Sequence, residues 1–413
     1  MRPALRPLCA ALTFAGVCAV PAHAQSGPDF RFSGFGTISA VHSNNREADF
    51  TNSTVQPKGA GFTQETSFTP DSKLGLQLDA ILNQRFSAVV QVVSQQQFDG
   101  TFNPDIEWAN VKWRATDALS VRVGRIAAPT FMLSDTRLVG YAQPFVRPPV
   151  EVYGVYPVTR NDGFDMTYAA QLGATQHTAQ FFWGKTATDV PQAKAKTDPG
   201  WGLNDTVQWG DLSMRAGYTS SRSKIDAPGA DQLLGAYQGL AAVLPPPLNA
   251  EAARIAETYN GNGKKSEFFS FGASYDPGKY FLMGEFIQVH GSATQADARN
   301  WYAAGGWRLG NFTPYLVYAS ARSDTPVEPG IPLPALAPLN AGLQQLINNS
   351  VNGSQDTASI GVRWNFYRNM DLKAQYDHVQ TRRNSAGRFE NVQPGFVRGS
   401  SVDLVTVAFD FVF

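Results

Sequence analysis

Along most of the chain, apolar and polar residues alternate in segments of about ten residues, the period of a half-buried β-strand. In Lys73-Leu74-Gly75-Leu76-Gln77-Leu78-Asp79-Ala80 every leucine falls on one face. Ser120-Val121-Arg122-Val123 repeats the pattern in miniature. Further on, Ala358, Ile360, Val362, Trp364 and Phe366 oppose Ser359, Gly361, Arg363 and Asn365.

The breaks between segments are of two lengths. Short ones fall at Asn83-Gln84, Thr116-Asp117-Ala118, Ala174-Thr175, Gly210-Asp211, Pro277-Gly278, Gly310-Asn311 and Arg368-Asn369, mostly residues suited to tight hairpins. Long polar connections lie between them, near 44–71, 98–105, 128–162, 187–201, 222–264, 291–297, 323–355 and 384–400. Seven short turns alternating with eight long loops predict sixteen antiparallel strands with both chain ends on the short-turn side. A sandwich does not sort its turns by length, whereas a barrel with short periplasmic turns and long extracellular loops does. Closure also satisfies every backbone group in lipid. The predicted class is therefore all-β, a transmembrane antiparallel β-barrel of 16 strands.

The two faces of these strands carry different chemistry. Trp113, Phe181, Trp183, Phe269, Phe271, Tyr275, Trp301, Trp307, Tyr376, Phe409 and Phe411 fall on apolar faces, many near strand ends, as interfacial girdles do. The other faces carry Lys73, Gln77, Asp79, Gln91, Asn110, Lys112, Arg114, Arg122, Arg215, Arg363 and Lys373, a set that implies water inside. Helical patterns appear within two loops, over Asp231 to Val243, Asn249 to Tyr259 and Asn340 to Asn348, with Asn249 and Asn340 as expected N-caps.

Residues 1–24 read as a signal peptide: Arg2 and Arg6 precede an apolar core from Leu8 to Val20 and an Ala22-His23-Ala24 cleavage site. Both cysteines, Cys9 and Cys18, lie there, so residues 25–413, expected to form the barrel, have no thiol for a disulfide, metal site or nucleophile. Without Arg2 and Arg6 the chain has 32 basic and 34 acidic residues, a net charge of −2 that argues against a nucleic-acid partner.

The terminal segment, Ser401 to Phe413, alternates and ends on phenylalanine, and Phe30-Arg31-Phe32-Ser33-Gly34-Phe35-Gly36 opens the first strand. In these features and in its architecture the chain resembles the Gram-negative porin family. The resemblance implies an outer-membrane homotrimer that lets small hydrophilic solutes and ions diffuse passively. It also implies a C-terminal strand recognised by the barrel-insertion machinery, and a third extracellular loop folded inward to narrow the pore. Here that loop is 128–162. The Pro-Glu-Phe-Gly-Gly stretch of general porins is absent from it, and Arg147-Pro148-Pro149-Val150-Glu151-Val152-Tyr153 stands instead.

The loop's charges, Asp135, Arg137, Arg147, Glu151, Arg160 and Asp162, are the candidate constriction residues, because fixed charges in a narrow lumen discriminate among ions. Arg85, Lys112, Arg114, Arg122, Arg215 and Arg363 are candidate pore-wall cations, Arg85 and Arg114 close to the periplasmic mouth. Inward bases outnumber the inward acids, of which Asp79, Asp165, Glu285, Asp371 and Asp377 are the clearest, so a weak anion or carboxylate preference is expected. For each loop charge the competing role is a salt bridge that stiffens the loop, favoured for Arg137 and Arg160. Rigid Pro148-Pro149 keeps both roles open for Arg147 and Glu151.

Three alternatives compete with a general pore. A substrate-specific channel would use Phe131, Tyr141, Phe145, Tyr153 and Tyr156 beside the arginines. An outer-membrane enzyme needs a nucleophile and base held together, but His42, His177, His290 and His378 sit on separate hairpins and no Gly-x-Ser-x-Gly elbow occurs. No cofactor or metal is expected. A plugged structural barrel lacks room for a plug domain before the first strand.

Overall fold

The structure, a computed structural model, describes residues 27–413 apart from 155, 157, 192, 292–296, 352 and 383, so the expected leader lies outside the described residues. Sixteen strands form one antiparallel barrel. They are β1 (Asp29–Ser43), β2 (Lys73–Ile81), β3 (Phe86–Gln95), β4 (Asp105–Arg114), β5 (Leu119–Ala127), β6 (Arg160–Leu172), β7 (Thr175–Lys185) and β8 (Ala193–Trp209). The second half comprises β9 (Leu212–Asp226), β10 (Asn262–Tyr275), β11 (Tyr280–His290), β12 (Ala298–Trp307), β13 (Phe312–Ser323), β14 (Gln355–Tyr367), β15 (Met370–Thr381) and β16 (Ser401–Val412). Each strand pairs with its sequence neighbours, and β1 pairs with β16 from Phe35↔Val412 to Ser43↔Leu404, which closes the cylinder.

The seven tight turns and eight long loops segregate to opposite ends as the pattern requires. Gly173 and Gly210 take φ of 59° and 56°, a left-handed conformation that lets two-residue connections follow strand twist. The fourth long connection is a taller hairpin: Ala187–Val190 pairs with Ala193 to Lys196 and prolongs the sheet outward.

Alternation places Leu74, Leu76, Leu78, Val111, Val123, Phe271, Leu282, Leu316 and Val405 outward, where they are exposed, as lipid-facing residues must be. Two aromatic rows bound this band. At the turn end Phe409, Phe411 and Phe413 follow one another at 5.7 and 6.4 Å, and Phe312 stacks on Trp364 at 5.7 Å. Toward the loop end Trp201, Tyr218 and Phe269 form a second row, 5.2 and 4.9 Å apart.

The loops are folded. α2 (Pro228–Val243), α3 (Leu248–Thr258) and α4 (Ala337–Val351) join the fifth and seventh loops through one apolar core of Leu234, Tyr237, Ile255, Ile331, Leu343 and Ile347. Both expected N-caps are corrected here. Pro247 caps α3, and Asn249 lies inside it. Asn340 lies inside α4, where its amide holds Ile331 from both sides and accepts from the Tyr237 hydroxyl at 2.9 Å. Tertiary hydrogen bonding thus takes over the side chain that sequence would assign to the helix end.

Candidate functional site: the third loop inside the barrel

The third long loop leaves β5 at Ala127 and crosses to the far wall. Asn204 and Arg215 donate to the Pro129 carbonyl at 3.3 and 2.8 Å, and Ser270 donates to that of Thr130 at 3.0 Å. Glu285 then accepts from the Met132 backbone N–H at 2.8 Å and from the Tyr153 hydroxyl at 2.6 Å. Phe131, Phe145, Val152 and Tyr153 are buried against Phe281, Ile287, Tyr302, Tyr315, Val317 and Ala319 of β11–β13. The lumen face of these three strands is therefore largely apolar, with Glu285 as the buried acceptor, unlike the polar faces read elsewhere along the chain, because the loop covers it. α1 (Val150–Tyr153) sits on this wall.

A second set of contacts fixes the middle of the loop to β14–β16 and β1. Lys373, wholly buried, donates to the Gly140 carbonyl at 2.7 Å and pairs with Asp410 at 2.9 Å. Gly140 lies so close that a Cβ there would run into Asp410 Oδ1 and Thr37 Oγ1. Arg363 pairs with Asp371 at 2.7 Å, donates to the Gln143 carbonyl at 3.1 Å, and lies 4.8 Å from the Tyr141 ring.

The candidate constriction charges separate into distinct roles. Arg147 is 6 % exposed and donates to Asp71 (2.7 and 2.9 Å), Asp377 (3.0 Å) and Thr406 (2.6 Å), with its guanidinium 4.8 Å from the Phe50 ring. Burial alone would lower its pKa, but the two carboxylates outweigh burial and hold it above the ordinary value. Glu151, 1 % exposed, accepts from Gln355 at 2.6 Å and from Thr357. Arg137 donates to the Tyr153 and Tyr156 carbonyls at 2.9 and 3.3 Å, and burial without a carboxylate partner lowers its pKa. Arg147 and Glu151 are enclosed between loop and wall and hold the loop in place, whereas half-buried Arg137 ties together two carbonyls of the loop itself.

Two more lie elsewhere. Asp162 faces away from the lumen: Asp165, three residues on, is an inward residue paired with Arg122, and alternation turns Asp162 outward to Arg125 at 2.7 Å. Arg160 stands at the loop-side rim, paired with Asp105 at 2.5 Å and Glu107 at 3.6 Å. Asp135 alone of the six is exposed, and among the described residues it has no hydrogen bond or ion pair. Its charge acts on Arg122 and Arg215 of the wall.

Of the wall cations, Arg122 is held by Asp165, with Nε 3.0 Å from both carboxylate oxygens. Lys112 faces Arg122 across the β4–β5 pair and has no carboxylate partner among the described residues. Arg114 and Arg85 are exposed at the turn end. Arg215 and Arg363 brace the loop. Apart from the rim contacts of Arg160 and Asp162 with β4 and β5, the loop's polar contacts run along β8 to β16 and β1, leaving most of the lumen faces of β2–β7 as the open side. Sequence reasoning named Asp377 and Glu285 as inward acids but missed Asp71, Thr406, Gln355 and Thr357 as loop partners. A signal for the covered wall was present: Tyr315 to Ala319 is apolar on both faces, as in a strand buried on both sides.

A closed barrel with an apolar belt, two aromatic rows and a loop folded along its inner wall defines an outer-membrane β-barrel channel. The sequence model of the family described as Gram-negative porin matches residues 9–401, and the chain belongs to that family. The outer membrane of a Gram-negative bacterium is its location. The outer membrane channel DcaP of Acinetobacter baumannii is similar in fold, at 14 % identity and a TM-score of 0.57, over 94 % of this chain and 98 % of that one. OmpF of Salmonella typhi, solved with daunomycin, gives 12 %, 0.55, 94 % and 98 %. The trimer form of OmpT from Vibrio cholerae gives 11 %, 0.52, 94 % and 100 %. No curated protein gives a significant match to the sequence.

Proposed function

We propose that the protein is a water-filled diffusion pore for small hydrophilic solutes and ions, with a weak preference for anions and carboxylates. The carrying observation is the census of uncompensated charge on the open side. Asp135 projects from the loop within electrostatic reach of Arg122 on β5 and Arg215 on β9, and on the neighbouring β4 Lys112 and Arg114 lack carboxylate partners among the described residues while Arg122 is already paired with Asp165. In a narrow low-dielectric channel such unpaired charges set the potential, while buried pairs contribute little.

A substrate-specific aromatic slide is less well supported, since Phe131, Phe145 and Tyr153 are packed into the wall. Catalysis has no support in the histidines: His42, His177, His290 and His378 all fall on the outward face by strand alternation. A homotrimer fits the outer wall, because the loop-end row of Trp201, Tyr218 and Phe269 has no counterpart on β2–β5, where Leu74, Val92, Ile106 and Val123 stand and four successive strands are only 9 or 10 residues long. The exposed C-terminal Phe413 suits recognition by the insertion machinery.

Reversal potentials in a salt gradient test the selectivity. Asp135→Asn should move them toward stronger anion preference, and Lys112→Gln with Arg114→Gln should move them the other way. Neither group braces the loop, so unchanged potentials in both variants would refute the proposed eyelet.

A further inference from the structure

A small polar cavity lies at the base of the third loop. It is bounded by the loop's two ends, around Ala128 to Thr130 and Val158 to Arg160, and by the inward faces of β6 to β9. Its volume is about 20 Å³, room for roughly one or two water-sized particles. Glycines make this room. Gly184 and Gly200 face each other across β7 and β8 without side chains, and a Cβ on Gly184 would run into the Asn161 amide.

The lining is rich in unused donors. Asn161 is 7 % exposed, and its Nδ2 is buried without a hydrogen-bond partner. A buried N–H left unpaired is costly, so such an atom calls for an occupant of the space in front of it. Thr130, Thr219 and Ser221 line the same space, and their hydroxyls have no partner among the described residues. Thr197 accepts from the Thr186 backbone N–H at 3.0 Å, which leaves its own proton to turn inward. Arg160 adds a cation at the rim, and its partners Asp105 and Glu107 are not part of the lining.

That set discriminates between occupants. A hard cation takes carboxylate or carbonyl oxygens, and no carboxylate side chain lines the cavity among the described residues. A water molecule brings two protons that need acceptors, whereas the amide N–H can only donate and the free hydroxyl protons converge with it. An anion uses donors alone, and the small volume admits a monatomic one while excluding sulfate or an organic carboxylate.

We propose that this cavity binds a single chloride ion, held by Asn161 Nδ2 and the hydroxyls of Thr130, Thr219 and Ser221. The ion bridges Thr130 of the loop to β6 and β9, and so fastens the loop where it leaves the wall. It lies off the open side of the lumen, and its binding does not depend on the selectivity of the pore.

Bromide is the probe, in crystals of the full chain grown from detergent with bromide in place of chloride. An anomalous peak should stand in the cavity within hydrogen-bond reach of Asn161 Nδ2, and should vanish in Asn161→Asp, where a carboxylate of the same shape repels an anion. In solution, amide exchange at Ala128, Thr130 and residues 158–161 should be roughly tenfold slower in chloride than in gluconate at equal ionic strength and pH, as for a ligand at about ten times its Kd. Sulfate should behave as gluconate does. Thr219→Val should shrink the difference and Asn161→Asp abolish it, the heat-dependent gel shift of the barrel checking that each variant is folded. The comparison of chloride with gluconate uses the wild type, so it decides the question independently of any variant. A water and no bromide peak in the cavity, a peak that persists in Asn161→Asp, or equal exchange in chloride and gluconate would each overturn the proposal.

Discussion

Replacing Arg147 with alanine removes one cation from a site where two carboxylates cannot reach water. Asp71 and Asp377 have side-chain exposures of 1 % and 4 %, and Arg147 supplies the charge and most of the donors they use. Deleting one partner of a buried ion pair typically costs about 3–5 kcal/mol, because the remaining charge is stranded. The barrel itself is closed by sixteen hydrogen-bonded strands, so the loss should appear locally, as release of residues 140–153 from the wall. A local penalty of about 3 kcal/mol corresponds to an open population raised on the order of 10²-fold. Hydrogen exchange of the detergent-solubilised protein reads this directly, and open-channel current noise reads it functionally. Arg147→Met combined with Asp71→Asn and Asp377→Asn should recover most of the protection, since replacing a whole buried ionic cluster is often neutral. Exchange within about fivefold of wild type in the single variant, a difference of about 1 kcal/mol, would refute the view that this cluster holds the loop.

Two further outcomes follow from the packing. Gly140→Ala forces the loop off Asp410 and Thr37, so single-channel records should show new substates while the folded barrel still resists detergent at room temperature. Glu328→Gln weakens the pair with Arg254 (2.9 Å) and the Tyr259 contact (3.2 Å) that tie the seventh loop to α3. Limited proteolysis near 245–260 should accelerate, with strand content by circular dichroism unchanged.

The barrel was legible because lipid on one side and water on the other impose a strict period of two on every strand. Turn lengths then set the count and the direction of each strand. The site was less legible for a different reason. Arg147 finds partners 76, 230 and 259 residues away, and no local pattern reports such pairings. Where local information existed, it pointed correctly. Counting back from inward Asp165 turns Asp162 outward, and the apolar run Tyr315 to Ala319 of β13 marks the wall that the loop covers.

The partners of Arg147 also set an order of assembly. Asp71 precedes β2, Asp377 lies on β15 and Thr406 on β16, while Lys373 and Asp410, which seat Gly140, belong to the last two strands. The loop emerges after only five strands, yet the surface that receives it is complete only when the final hairpin has joined β1. Contacts this distant in sequence form late. Until closure the loop has nowhere to rest, so a chain whose final strands have not zipped into place cannot present a finished eyelet. Pore geometry thus serves as a readout of completed biogenesis.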